Sequence, residues 1–232
     1  MSKRYPIIDL FLRGRFSLLL VALALLFLVG PLIPGDQTFA DKVFGVLMLA
    51  VLTSCLRAIA RTRGFFWFML AFTLVNVGIG SFEIFSNMET ESFRIMVLAV
   101  RVSYFAMVFF GIMYYVLDDS SVTGDKICGA ISAYMLMGVT WSFIYSLFYQ
   151  IDPGSFRVPE ELLSTETVNS TWTLYFSFTT LTTLGYGDIV PQKHGVQSYA
   201  IMEAACGQIF LAVIIARLIA LHITHKKQGD AE

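Results

Sequence analysis

The sequence predicts an all-α membrane protein with six transmembrane helices and a seventh, shorter helix that enters the membrane and turns back. Three observations carry this reading. The 232 residues are 56% apolar and 14% charged, with a mean hydropathy of +0.70, against roughly 45–50% apolar and about 25% charged in globular proteins. Six predominantly apolar runs have about the length needed to cross roughly 30 Å of hydrocarbon as helices. A further apolar run, Trp172 to Leu181, is too short to do so.

The same counts exclude other classes. With 16 Lys+Arg against 17 Asp+Glu, the formal charge is −1, so the basic footprint of a nucleic-acid binder is missing and no nucleic-acid partner is expected. Membrane lipids are the expected surroundings. Cys55, Cys128 and Cys206 lie in or beside apolar segments, at spacings that form neither a metal-ligand pair nor a disulfide framework.

The elements follow in order. Phe16 to Ile33 carries no charge over 18 residues, follows Lys3, Arg4, Arg13 and Arg15, and ends at Gly30-Pro31 and Pro34-Gly35. It exceeds the ~7–15-residue core of a signal peptide, so a retained helix is expected. Val43 to Ala60 is the second helix, and Arg61-Thr62-Arg63-Gly64 turns into the third, Phe65 to about Phe85. Asn87 to Ser92 is polar and precedes the fourth, Phe93 to Leu117, which Asp118-Asp119-Ser120-Ser121 ends. Ile127 to Tyr149 is the fifth and Val196 to Ile223 the sixth. Between those two, Pro153-Gly154 and Pro159-Glu160-Glu161 form a polar stretch, and Asn169-Ser170-Thr171 offers capping oxygens to the short helix.

Orientation follows from Lys and Arg at the ends of the spans. With the N-terminus inside, Lys3, Arg4, Arg13, Arg15, Arg57, Arg61, Arg63, Lys126, Lys226 and Lys227 face the cytoplasm, against Lys42, Arg157 and Lys193 outside. Both termini are expected in the cytoplasm of a multi-pass cell-membrane protein. An even number of spans agrees.

The short helix runs into Thr180-Leu181-Thr182-Thr183-Leu184-Gly185-Tyr186-Gly187-Asp188, which leaves through Ile189-Val190-Pro191. Non-helical backbone at membrane depth survives only when buried in protein or lining a water-filled path. Two glycines one residue apart take φ > 0 without steric cost, which turns successive carbonyls toward one axis. A stack of such carbonyls suits a dehydrated cation.

Thr183-Leu184-Gly185-Tyr186-Gly187-Asp188 resembles the selectivity filter of potassium channels, whose TVGYG loop is the standard example of this chemistry. The departure is Leu184 where Val is commoner; its carbonyl is unchanged. The resemblance covers roughly Ile127 to Ile223 and is looser over the first four helices. It implies a tetrameric ion-channel architecture with a re-entrant pore helix. The expected divisions are a cytoplasmic tail (1–15), a four-helix peripheral domain resembling a voltage sensor (16–117), a linker (118–126), a pore domain (127–223) and a second cytoplasmic tail (224–232).

The resemblance also implies roles. Carbonyls of Thr183, Leu184, Gly185 and Tyr186, with the Thr183 hydroxyl, would replace the hydration shell of K+, the transported ion; no cofactor is expected. Gly187 completes the filter, supported by Thr182 and Asp188. Tyr186 should point its ring toward Tyr175 and Phe176, and the carbonyl end of the pore helix should aim at a central cavity, where the macrodipole favours a cation. One chain supplies one strand, so four are needed and a cyclic homotetramer is expected. Gly207, twenty residues past Gly187, matches a hinge glycine of the inner helix, with Gln208 and Leu211 beside the cavity; close helix packing explains a glycine there equally well.

Charges within spans are functional candidates. Arg94 and Arg101 are seven residues apart, and Val97, Val100 and Tyr104 stand where a voltage sensor would want more. Weak or absent voltage gating follows. Arg94 is expected near Glu83, as a structural ion pair or as two snorkelling charges. Glu203, one turn before Gly207, is expected behind the filter near Thr179 or Thr180, and Arg217 near lipid phosphate or Asp118 and Asp119. His194, His222 and His225 have no partners at ligand spacing. Few residues follow Ile223, which leaves no room for an appended ligand-sensing domain in this sequence. The functional expectation is passive K+ conduction without covalent chemistry. The alternatives are a voltage-gated channel with a reduced sensor and a non-conducting membrane assembly subunit.

Overall fold

The computed structural model describes residues 14–29, 46–56, 63–85, 90–118, 123–163 and 171–229. Helices dominate: α1 (Ser17–Val29), α2 (Val46–Leu56), α3 (Arg63–Phe85), α4 (Glu91–Val116), α5 (Gly124–Ile151), a single turn α6 (Glu160–Leu163), the short α7 (Thr171–Leu181) and α8 (His194–Gly229). Among the described residues, three segments, against the six spans expected, are long and apolar enough to cross a membrane: Glu91–Val116, Gly124–Ile151 and His194–Arg217. The apolar runs in α1, α2 and α3 are shorter. The expected boundary signals Gly30-Pro31, Asn87 to Glu89, Asp119 to Ser121 and Asn169-Ser170 lie outside the described residues, as do Lys3, Arg4, Arg13, Lys42, Arg57 and Arg61.

α5 is the central element, packing along α4, α1, α7 and α8. Its interfaces with α1 and α4 are apolar: Phe16, Leu19 and Leu23 of α1 and its approach, Ile112 and Val116 of α4, and Cys128, Ala133 and Leu136 of α5 are all buried. Polar contacts fix the ends. The Asp125 Oδ1, in the first turn of α5, accepts from the Phe16 N–H at 3.0 Å. The last carbonyls of a helix lack partners within it, and at the end of α4 two cations supply them. Lys126 Nζ donates to the Asp118 carbonyl at 2.7 Å, and Arg217 Nη2 of α8 donates to the Leu117 carbonyl.

The polar stretch after α5 is more ordered than its composition suggested. A 3-10 turn at Pro153–Ser155 leads into β1 (Phe156–Arg157), which pairs antiparallel with β2 (Val190–Pro191), Phe156 opposite Pro191. Lys193 Nζ lies 3.1 Å from Asp152 Oδ2. That ammonium, with the Gly154 N–H, holds the Asp152 carboxyl below its usual range. The segment leaving Asp188 is thereby stapled to the end of α5.

Candidate functional site

α7 alternates between two kinds of contact. Trp172 and Phe176 are buried in an aromatic cluster, with ring centroids 5.3 Å from Phe156 in each case and Phe176 4.9 Å from Tyr145. Thr173 and Ser177, four apart and so on one face, meet a polar stripe on α5 with the same spacing: Gly138, Ser142 and Ser146. Ser146 Oγ lies 2.9 Å from Thr173 Oγ1, and Ser177 Oγ donates to the Gly138 carbonyl at 2.8 Å. Gly138 also leaves room for a ring, since a Cβ there would sit 2.5 Å from Phe178.

Each of the last four carbonyls of α7 accepts a hydrogen bond within the chain. Phe178 O accepts from Thr182 N–H at 3.0 Å and Thr182 Oγ1 at 2.7 Å; Thr179 O accepts from Gly185 N–H at 3.0 Å; Thr180 O accepts from Thr183 N–H at 2.9 Å. Leu181 O accepts from the Tyr134 hydroxyl of α5 at 3.3 Å. The helix end thus grips the segment that follows it.

That segment has alternating backbone handedness. φ is positive at Thr183 (57°), Gly185 (50°) and Gly187 (77°), and at no other described residue. Leu184 and Tyr186, between them, have ordinary φ. Alternation of this kind turns successive main-chain groups to one side instead of alternating them across a strand. At Thr183, a β-branched residue, such a conformation costs on the order of 1–3 kcal/mol and persists only where its surroundings enforce it. The bonds to Thr179 and Thr180 do so. Residues 182–188 are exposed in the single chain, with Leu184 at 56% and Tyr186 at 68%.

The outer end is held by side chains. Tyr186 stacks on Tyr175, centroids 6.3 Å apart and planes 5° from parallel, while the Tyr175 hydroxyl donates to Asp188 Oδ2 at 2.7 Å. That hydroxyl, more than any other group, holds the Asp188 carboxyl below its usual range. Phe176 does not join them; one residue along a helix is a 100° rotation, which carries Phe176 into the buried cluster.

Residues 68–222, about two thirds of the chain, match the profile of the family described as Ion channel. The chain belongs to this ion-channel family. The potassium-channel resemblance of the filter motif lies inside the matched span. Its class of activity is passive ion conduction across a membrane, which involves no enzymatic chemistry. No curated protein and no solved structure matches the chain.

In this ion channel the remaining candidates fall as follows. Glu203 of α8 is fully buried, but its partners are not Thr179 or Thr180. Its Oε2 accepts from the Tyr145 hydroxyl at 2.6 Å, and its Oε1 lies 2.5 Å from Ser177 Oγ. Thr179 turns its hydroxyl back to the Phe176 carbonyl at 3.0 Å, leaving Ser177 on the face toward α8. Gly207 lies in an unbroken α8; a Cβ there would be 2.5 Å from Leu181 O, so the glycine permits close approach of α8 to the end of α7. Gln208 and Leu211 are exposed in the single chain. Arg217 reaches the Leu117 carbonyl, next to Asp118, while Asp119 lies outside the described residues. The guanidinium carbon of Arg101 lies 5.8 Å from the centroid of the Phe143 ring on α5. The pairing of Arg94 with Glu83 and the surroundings of His222 and His225 lie outside the described side chains.

Sequence reasoning missed Tyr145, Ser177, Gly138 and Thr173. For Gly138, Thr173 and Ser177 the signal was present as small residues recurring at intervals of four in apolar helices, a pattern of packed membrane helices; Tyr145 lies outside that register and gave none.

Proposed function

We propose that the chain is one subunit of a homotetrameric, potassium-selective channel of the cell membrane, with six spans and both termini cytoplasmic. Four copies of the Thr183–Gly187 segment surround the axis, and the carbonyls of Thr183, Leu184, Gly185 and Tyr186, with the Thr183 hydroxyl, replace the hydration shell of K+. The alternation of φ along this strand carries the reading, because it supplies a row of carbonyls without charged side chains. Fourfold assembly is supported by the exposure of 182–188 in the single chain and by the wide arc of exposed apolar residues on α8, including Ile201, Ile209, Val213 and Ile215. These surfaces offer the adjacent subunits something to bury.

The peripheral helices (16–117) attach through a linker (118–126) to the pore module (127–223). Voltage dependence is weak in this reading, because only Arg101 lies deep in α4. Purified protein in liposomes, loaded with K+ or Na+ and examined by native mass measurement, tests the proposal. Selective K+ flux from a tetramer is the expected result. A folded tetramer that passes Na+ as readily as K+ overturns selectivity, and a monomer overturns the assembly.

A further inference from the structure

We infer that Glu203 is held as a neutral carboxylic acid whose proton fixes the pore helix α7 between α5 and α8, making Glu203 a positioning residue for the conducting strand. The inference rests on the reading of Thr183–Gly187 as that strand, but the protonation itself stands on hydrogen counting.

Three oxygen–oxygen contacts meet at this point. The Tyr145 hydroxyl is 2.6 Å from Glu203 Oε2, Ser177 Oγ is 2.5 Å from Glu203 Oε1, and Ser177 Oγ is 2.8 Å from the Gly138 carbonyl oxygen. Each contact at such a distance needs one hydrogen between its oxygens. The Gly138 carbonyl has none, so the single Ser177 hydrogen goes there. The single Tyr145 hydrogen goes to Oε2. Ser177 thus has one hydrogen for two acceptors, Glu203 Oε1 and the Gly138 carbonyl, and a proton on Glu203 Oε1 turned toward Ser177 gives every contact a hydrogen.

An ionised Glu203 would accept only. Ser177 would then have to turn its hydrogen away from Gly138, leaving that carbonyl against a bare hydroxyl oxygen, or leave Oε1 facing it without a hydrogen. Nor is any basic group bonded to it among the described residues. Tyr145 and Ser177 are the groups bonded to Glu203 from α5 and α7, and Tyr134, the other phenol of α5 near it, uses its hydroxyl on Leu181 O. None of these is basic. Glu203 is fully buried, and an unpaired carboxylate in such a place is far costlier than a hydrogen-bonded acid.

The geometry explains what the proton does. Ser177 belongs to α7, and the carbonyls of the last turn of α7 hold the N–H groups of Thr183 and Gly185. Tyr145 belongs to α5 and Glu203 to α8. The acid therefore ties three helices together directly behind the strand. Loss of its proton removes the donor to Ser177 and loosens the seat of α7.

Infrared difference spectroscopy of the purified protein, wild type against Glu203→Gln, tests the assignment without relying on conduction. The expected result is a protonated carboxylic-acid carbonyl band at neutral pH that disappears in E203Q. Flux measurements supply the second arm. The amide of E203Q donates to Ser177 and accepts from Tyr145, so it should rescue selective K+ flux that Glu203→Ala loses. Wild-type flux should fall on alkalinisation while the E203Q profile stays flatter. Absence of the band, failure of E203Q to assemble, or equal loss of flux in E203Q and E203A would overturn the inference. A band present in a protein that conducts no K+ would leave the protonation standing and sink the conduction reading alone.

Discussion

The Tyr175 hydroxyl donates to Asp188 at the far end of the Thr183–Gly187 segment, at 2.7 Å. The same Tyr175 ring stacks on Tyr186, so one pore-helix side chain holds the strand at two points. Tyr175→Phe keeps the stack and removes the bond. We expect Y175F to conduct K+ but to lose current faster during sustained opening, read from single-channel recordings. Unchanged current decay would show that the stack alone suffices.

The Asp188 carboxyl titrates below its usual range because Tyr175 donates to it, assisted by the Ile189 N–H at 3.0 Å. A lowered folded pKa means that the stabilisation is fully present above the ordinary carboxylate value of about 4 and is lost as pH falls through the lowered one. The contribution of Asp188 to thermal stability should therefore be lost only below the ordinary carboxylate range. In Y175F the carboxyl resonance of Asp188 should titrate at higher pH than in wild type.

Gly207 and Gly138 both make room, for different neighbours. At Gly207 the obstacle to a methyl group is the Leu181 carbonyl, which is backbone and also bonded to Tyr134; at Gly138 it is the far end of the Phe178 ring. Overpacking costs about 1–3 kcal/mol. Gly207→Ala is expected at the upper part of that range and Gly138→Ala below it, because a ring swings aside and a helix end does not. Gly78, with open space around it, is the control: G78A should be neutral or stabilising. Thermal denaturation of the purified protein checks the order.

Arg101 sits over Phe143 of α5, a partner belonging to the pore module. One charge crossing the full field is worth ~2.3 kcal/mol per 100 mV, so the four subunits of the proposed tetramer would supply roughly 9 kcal/mol per 100 mV at most, and steep gating uses about three or four charges per subunit. The conductance–voltage relation should be shallow. A steep relation that Arg101→Gln abolishes would refute this.

Lys126 is almost fully buried, and its ammonium bonds the Asp118 carbonyl at the end of α4. Lys126→Met keeps much of the volume and removes the donor. Hydrogen bonds to charged groups contribute roughly 1.5–3 kcal/mol, and a destabilisation of that size is expected in denaturation of K126M.

Much of this was legible in the sequence because it depends on local composition. The lengths of the apolar runs set the helices, and α4, α5, α7 and α8 begin and end within a few residues of the expected positions, except that α8 continues to Gly229. Gly185 and Gly187 marked the two positions where positive φ is free of steric cost; positive φ at Thr183 follows only from the bonds that α7 imposes. The pairing of β1 with β2 was not legible, since two-residue strands carry no periodicity.

By itself the sequence determined that the protein belongs in a membrane, where its long apolar helices α4, α5 and α8 lie, and which residues form the Thr183–Asp188 motif. These follow from hydropathy, length and the steric freedom of glycine, all local properties. Tertiary structure alone decided that Glu203 meets Tyr145 and Ser177, that Leu181 O is taken by Tyr134, and that Arg217 caps α4 from 100 residues away. Such choices depend on how each helix is rotated against its neighbours, and a rotation of 100°, one residue, exchanges one partner for another.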